Sequence, residues 1–181
     1  MSVYHWYEIP EDDSLQQGDI FFRFPVLVPG TLRVESDIVV FDTQSRIERN
    51  DVIILTQSCD LVVDGIPSVL LCRVFDFVDA ANDPTNTIKM NHFSEMKKGR
   101  MPSYHLLKPC DLEGHARRHM VVNFGQVFTS SFAQLNWVAT SGSGRIRLLP
   151  PYREHLSQAF ARFVMRVGLP QDVGDLPRQN Q

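Results

Sequence analysis

A mainly β fold with helical cover follows from three features of this 181-residue sequence. Dense Val, Ile, Leu and Phe run with period-two alternation from residue 18 to 149, the spacing of half-buried strands. Turn-formers punctuate that stretch at Pro29-Gly30, Asp64-Gly65, Asn82-Asp83-Pro84, Glu113-Gly114 and Ser141-Gly142-Ser143-Gly144. A strongly amphipathic helical pattern comes only after them. Because strands do not alternate with helices, a parallel sheet is disfavoured; the expectation is a small, strongly curved, mainly antiparallel barrel with helical covers and a C-terminal amphipathic helix.

Taken in order, residues 1–17 form an acidic arm with poor periodicity, and residues 18–169 form the barrel domain. Strands are predicted at Asp19 to Leu27, Arg33 to Asp42, Asp51 to Gln57, Ser68 to Phe75, Tyr104 to Lys108, Met120 to Ser130, Leu135 to Thr140 and Arg145 to Leu149. Asn91 to Gly99 suits a short helix stopped by its glycine. The best helix opens at Pro150-Pro151, where the first N–H groups need no internal partner, and runs to Val167. Its Leu156, Phe160, Phe163 and Val167 make one apolar stripe, which Gly168 and Pro170 bring to an end. Arg153, Arg162 and Arg166 fall largely off that stripe, as a solvated face or as phosphate contacts. Residues 170–181 lack apolar content and read as a flexible tail.

Composition narrows the class further. Hydrophobic residues make up 43% and charged residues 22%, which excludes a wholly disordered chain. Apolar runs such as Val52 to Leu55 fall far short of the roughly 18 to 20 residues that span a bilayer, so no membrane partner is expected. The opening residues carry neither a basic nor an apolar leader segment, which points to the cytoplasm. Cys59, Cys72 and Cys110 are odd in number and contain no CxxC pair, so reduced thiols are expected. The net charge of -3 is unevenly spread: residues 1–60 carry a balance of -7, whereas residues 96–120 carry +4. A local basic surface suits a polyanionic partner.

Thr56-Gln57-Ser58-Cys59-Asp60 is the densest polar cluster, at the end of an apolar strand where side chains converge on solvent. It suits an Asx or Ser turn with a buried Cys59, a phosphate or substrate contact, or a thiolate nucleophile paired with His105 or His115. Cys110, His115 and His119 have a C-x4-H-x3-H spacing that zinc would accept with Cys59, although structural zinc sites more usually present a Cys pair; no metal is expected. Lys97, Lys98, Arg100 and Tyr104 combine cations with an aromatic ring in one segment, the pairing with which single-stranded nucleic acid is held through phosphates and stacked bases.

The order Gly18-Asp19-Ile20, then Val52-Ile53-Ile54-Leu55 running into Thr56 to Asp60, then Val69-Leu70-Leu71-Cys72 resembles the PemK/MazF family of toxin endoribonucleases. Val121 to Thr129 is similar to that family's strand ending in D-Q-I-R-T, and Arg145 to Gly168 to its closing helix. The resemblance implies an SH3-like barrel, a homodimer, an antitoxin or other defence partner, and cofactor-free, metal-independent cleavage of single-stranded RNA by an arginine and a nearby Thr or Ser. Read from the residues themselves, RNA cleavage by this chain would use Arg46 or Arg49 in the electrostatic role, the polar cluster of Thr56, Ser58 and Asp60, and His105 as acid or base. The sequence departs from the pattern where Asn50-Asp51 replaces the Arg-Pro, where Gly125 and Phe128 replace the Asp and Arg of the last motif, and in an insertion over residues 78–107. Those departures leave a non-catalytic protein-interaction module on the same barrel as the alternative.

Overall fold

The structure, a computed structural model, describes residues 4–28, 32–35, 38–41, 45–62, 65–142 and 144–165, and of 32–35 and 38–41 the backbone alone. The strands are β1 (Tyr7–Glu8), β2 (Asp19–Val28), β3 (Leu32–Glu35), β4 (Ile38–Phe41), β5 (Arg46–Ile54), β6 (Val69–Asp76), β7 (Tyr104–Leu107), β8 (Met120–Ser130) and β9 (Arg145–Leu148). The helices are α1 (Phe77–Asn82), α2 (His92–Lys97), α3 (Phe132–Thr140) and α4 (Tyr152–Val164). Seven strands form one sheet in the order β1-β9-β2-β5-β6-β8-β7, and β3 with β4 forms a separate pair. Every pairing is antiparallel. The edges β1 and β7 do not meet among the described residues, so this mainly antiparallel sheet is open.

Period-two alternation sends successive apolar side chains to opposite faces, and each face has its own helix. Ile20, Ile53 and Cys72 pack on one side with Leu156, Phe160 and Phe163 of α4. Phe21, Val52, Ile54 and Leu71 pack on the other with Leu135 and Val138 of α3. Each fully buried Ile, Leu or Phe contributes about 1.5–3 kcal/mol relative to exposure, so the two layers fix the position of both helices. The insertion carries α1, α2 and β7, and Phe77, Ile88 and Met96 anchor it on Val121 of β8.

The predicted strand Leu135 to Thr140 is helix α3 instead. The Ser131 hydroxyl accepts the Gln134 N–H at 3.1 Å, an N-terminal cap, and Leu135 with Val138 supplies a one-sided apolar contact three residues apart. The single strand predicted over Arg33 to Asp42 is the antiparallel pair β3 and β4. α1 follows β6 directly because the Asp76 carboxylate accepts the Val78 and Asp79 N–H groups at 2.8 and 3.0 Å. α2 matches the expected short helix, and Gly99, with φ at +68°, lies just beyond its end. α4 sets Leu156, Phe160 and Phe163 on the expected stripe; Val167, the predicted stop at Gly168 and Pro170, and the predicted tail lie outside the described residues.

Two bulges interrupt the central strands. β2 shifts register against β5 between Phe21 and Phe24, where Arg23 takes φ of +55° and its N–H donates to the Asp51 carboxylate at 2.8 Å. β8 shifts against β6 at Cys72/Arg73, which throws Gly125 and Gln126 outward. The N-terminal arm is tied down by buried charge: Arg145 donates to the Asp12 and Ser14 carbonyls at 2.6 and 2.8 Å, and Arg147 to the Ser14 carbonyl at 2.7 Å. Tyr7 adds a bond from its hydroxyl to the Lys108 carbonyl at 2.6 Å, so β1 and the segment after β7 are fastened together.

Candidate functional site

A cavity of about 940 Å³ opens where the insertion meets α4 and the N-terminal arm. α2 and the turn after it supply Phe93 and Lys97, and β7 with the next residue supplies His105 and Lys108. His119 closes the wall before β8. From α4 come His155, Gln158 and Arg162, at i, i+3 and i+7, one polar stripe beside the apolar one. Trp6 completes the rim, its ring stacked on Tyr152 with centroids 3.7 Å apart.

The electrostatics are one-sided. Among the described residues no Asp or Glu lines the cavity, and none lies within ion-pair distance of Lys97, Lys108 or Arg162. Lys98 and Arg100, next along the chain, are instead turned to Glu95 at 3.7 and 3.4 Å. Each imidazole is set against an aromatic ring: His105 on Phe124 at 6.3 Å, His119 edge-on to Phe93 at 4.9 Å, and His155 edge-on to Tyr152 at 6.0 Å. Burial, followed by the neighbouring His155 and Arg162, pushes the His105 imidazole down to about 4. At neutral pH His105 is therefore uncharged and offers one donor and one acceptor nitrogen.

Of the residues singled out from sequence, Lys97, His105, His119 and Arg162 share this cavity. Arg49 and Tyr104 line a second groove of about 720 Å³ across β5, β6 and β8, with Arg73, Gln126 and the acids Asp51, Asp76, Asp79 and Asp83. Tyr104 and His105 serve different cavities as successive residues of β7. Arg46 is exposed and paired with Glu48 at 2.8 Å. The Thr56 hydroxyl accepts the Leu70 N–H at 2.8 Å, and Ser58 accepts the Gln17 N–H at 3.1 Å, so both hydroxyls hold backbone. Asp60 is exposed, its carboxylate 3.7 Å from the Cys59 thiol.

Cys59 lines a separate small pocket with Ser58, Arg153 and Ser157, which no histidine reaches. His115 sits against Phe22, with ring centroids 6.3 Å apart, and does not line that pocket. Among the described residues no group of three or more His, Cys, Asp or Glu is placed to hold a metal ion, so the C-x4-H-x3-H spacing does not assemble a ligand set. Sequence reasoning missed Trp6, Lys108 and His155 as lining residues. The helical spacing of His155 and Arg162 was the available signal; Trp6 and Lys108 arrive through tertiary contacts. No family model and no curated protein matches the chain. No helix among the described residues is long and apolar enough to cross a membrane.

Proposed function

We propose that this protein binds single-stranded RNA, with the cavity between α2, β7 and α4 as the seat of the strand. The observation that carries the reading is the convergence there of Lys97, Lys108 and Arg162 with three imidazoles and the rings of Trp6 and Phe93, with no carboxylate among the described lining residues. Cations for phosphate oxygens beside aromatic faces for bases are what a sequence-tolerant strand binder needs. The likeness of Gly18-Asp19-Ile20 and Val52 to Asp60 to the PemK/MazF motifs supports the same class, and with it an SH3-like ancestry for the open sheet, a homodimer, a cytoplasmic setting and a defence or antitoxin partner.

Cleavage is the narrower form of the proposal. His105 in its uncharged state can accept a 2'-hydroxyl proton as the 2'-oxygen attacks phosphorus and the bond to the 5'-oxygen breaks, the departing 5'-oxygen taking its proton from water, while Arg162 and Lys97 stabilise charge on the phosphoryl oxygens. Arg46 and Arg49, the arginines singled out from sequence for the electrostatic role, lie outside this cavity, so the geometry supports binding more than the inherited chemistry. The test is fluorescence anisotropy of a labelled single-stranded RNA over a salt series, with gel analysis of the same RNA in EDTA. Each phosphate contact adds about 0.7 to the slope of log K against log salt, and replacing Arg162 by Glu removes about that much. Absence of any salt-dependent affinity at low ionic strength overturns RNA binding and leaves the protein-interaction module.

A further inference from the structure

Building on that RNA-binding reading, we propose that the cavity is a strand-end pocket that takes a phosphomonoester-bearing terminal nucleotide in preference to an internal phosphodiester. Charge balance carries the argument. Lys97, Lys108 and Arg162 bring three fixed positive charges to one cavity, and among the described residues no carboxylate neutralises them there. An internal phosphodiester returns a single negative charge, whereas a phosphomonoester returns about 1.5 to 2 near neutral pH and presents three acceptor oxygens. Arginine and lysine together match that group in charge and in donor number.

Size and shape agree. About 940 Å³ is within the range of single small-ligand pockets, room for one nucleotide and its first shell of water. The same walls carry groups for a terminal base and ribose: the Phe93 ring beside Lys97 on α2, the Gln158 amide and the His119 and His155 imidazoles as hydrogen-bonding groups, and at the rim the Trp6 ring, one face of which is stacked on Tyr152. The second groove offers the contrast. Its Arg49 and Arg73 are diluted by four aspartates, which repel a doubly charged phosphate.

The experiment compares one RNA oligonucleotide made with a 5'-phosphate, a 3'-phosphate or hydroxyls at both ends, with free 5'-AMP and adenosine as competitors. At least one phosphorylated end should bind about tenfold or more tighter than the hydroxyl form, the gain of one or two charge-assisted contacts. 5'-AMP should compete and adenosine should not. Arg162→Ala and Lys97→Ala, both at exposed positions, should bring the phosphorylated strand down to the affinity of the hydroxyl strand. Equal binding of all three strands by the wild-type chain overturns the strand-end pocket while leaving RNA binding intact. Binding of 5'-AMP alone supports the phosphomonoester pocket and removes RNA as its source. No binding of any phosphate-bearing probe overturns both.

Discussion

Asp19 and Arg147 are joined by two hydrogen bonds inside the protein, Nε to Oδ1 at 2.6 Å and Nη2 to Oδ2 at 3.1 Å, with Arg145 Nε 3.7 Å from the same carboxylate. All three side chains are buried. One carboxylate therefore serves two guanidinium groups; Arg145 Nη2 reaches the Asp12 and Ser14 carbonyls and Arg147 Nη2 the Ser14 carbonyl, while the buried Arg145 Nη1 has no hydrogen-bond partner among the described residues. Replacing Asp19 with Asn keeps the shape and removes the charge. The expected loss is about 3–5 kcal/mol of folding stability, since two buried guanidinium groups lose the buried carboxylate between them and keep only the outlying Glu8 and Asp12 carboxylates, 3.9 and 4.0 Å from Arg147 Nη1. Urea denaturation of Asp19→Asn checks it, and a loss under 1 kcal/mol, on the order of an exposed pair, contradicts the pairing described.

His105 gives the protein an acid-side dependence with a defined sign. Its imidazole falls from an ordinary 6.5 to about 4 on folding, so between those values the unfolded chain takes up a proton that the native protein refuses. Stability from this residue is complete above the ordinary value and declines as pH falls toward about 4. His105→Phe should flatten the stability profile over that window. An unchanged profile would show that His105 titrates normally in the folded state.

The three thiols should differ sharply in reactivity. Cys59 is exposed, while Cys72 and Cys110 are buried. Burial pushes the Cys72 thiol up to about 12 and raises that of Cys110, which removes the thiolate needed for alkylation. Mass spectrometry after brief iodoacetamide treatment should find one label in the native protein, on Cys59. Labelling of Cys72 before unfolding would contradict its buried place on β6, where its thiol donates to the Asn123 carbonyl of β8.

Ser131→Ala should cost about 0.5–2 kcal/mol, the usual loss for an N-cap hydroxyl, because α3 then begins with an unpaired Gln134 N–H. Thermal unfolding of the variant measures the loss. Ser131→Asp should restore most of it.

The strands were legible in sequence where both faces are buried, as at Val52-Ile53-Ile54 and Val69-Leu70-Leu71-Cys72, because a continuous apolar run follows directly from a sheet covered on both sides. α3 was not, since Leu135-Asn136-Trp137-Val138 satisfies a period of two about as well as a helix; the deciding contact is the Ser131 cap. Asp76 hid α1 in the same way, behind a strand that runs straight into it. For the site, the sequence offered Lys97 and His105 through local basicity. It also favoured Thr56 and Ser58, whose hydroxyls turned out to bind backbone, because a polar strand end looks alike whether it faces a ligand or closes a turn. Trp6, Lys108 and Arg162 come together only through long-range packing, and no local pattern marks such a set.

The stacking of Trp6 on Tyr152 gives the cavity an optical gauge. The sequence has two tryptophans; Trp6 lies on the cavity rim, whereas Trp137 stands 66% exposed on α3. Caesium, a cation that the charges of Lys97, Lys108 and Arg162 repel, should therefore quench the red-edge emission of Trp137 while sparing a component from the half-buried Trp6. Any occupant that parts or tightens the indole–phenol stack changes that residual signal, so occupancy can be followed by quenching-resolved fluorescence of the unlabelled chain.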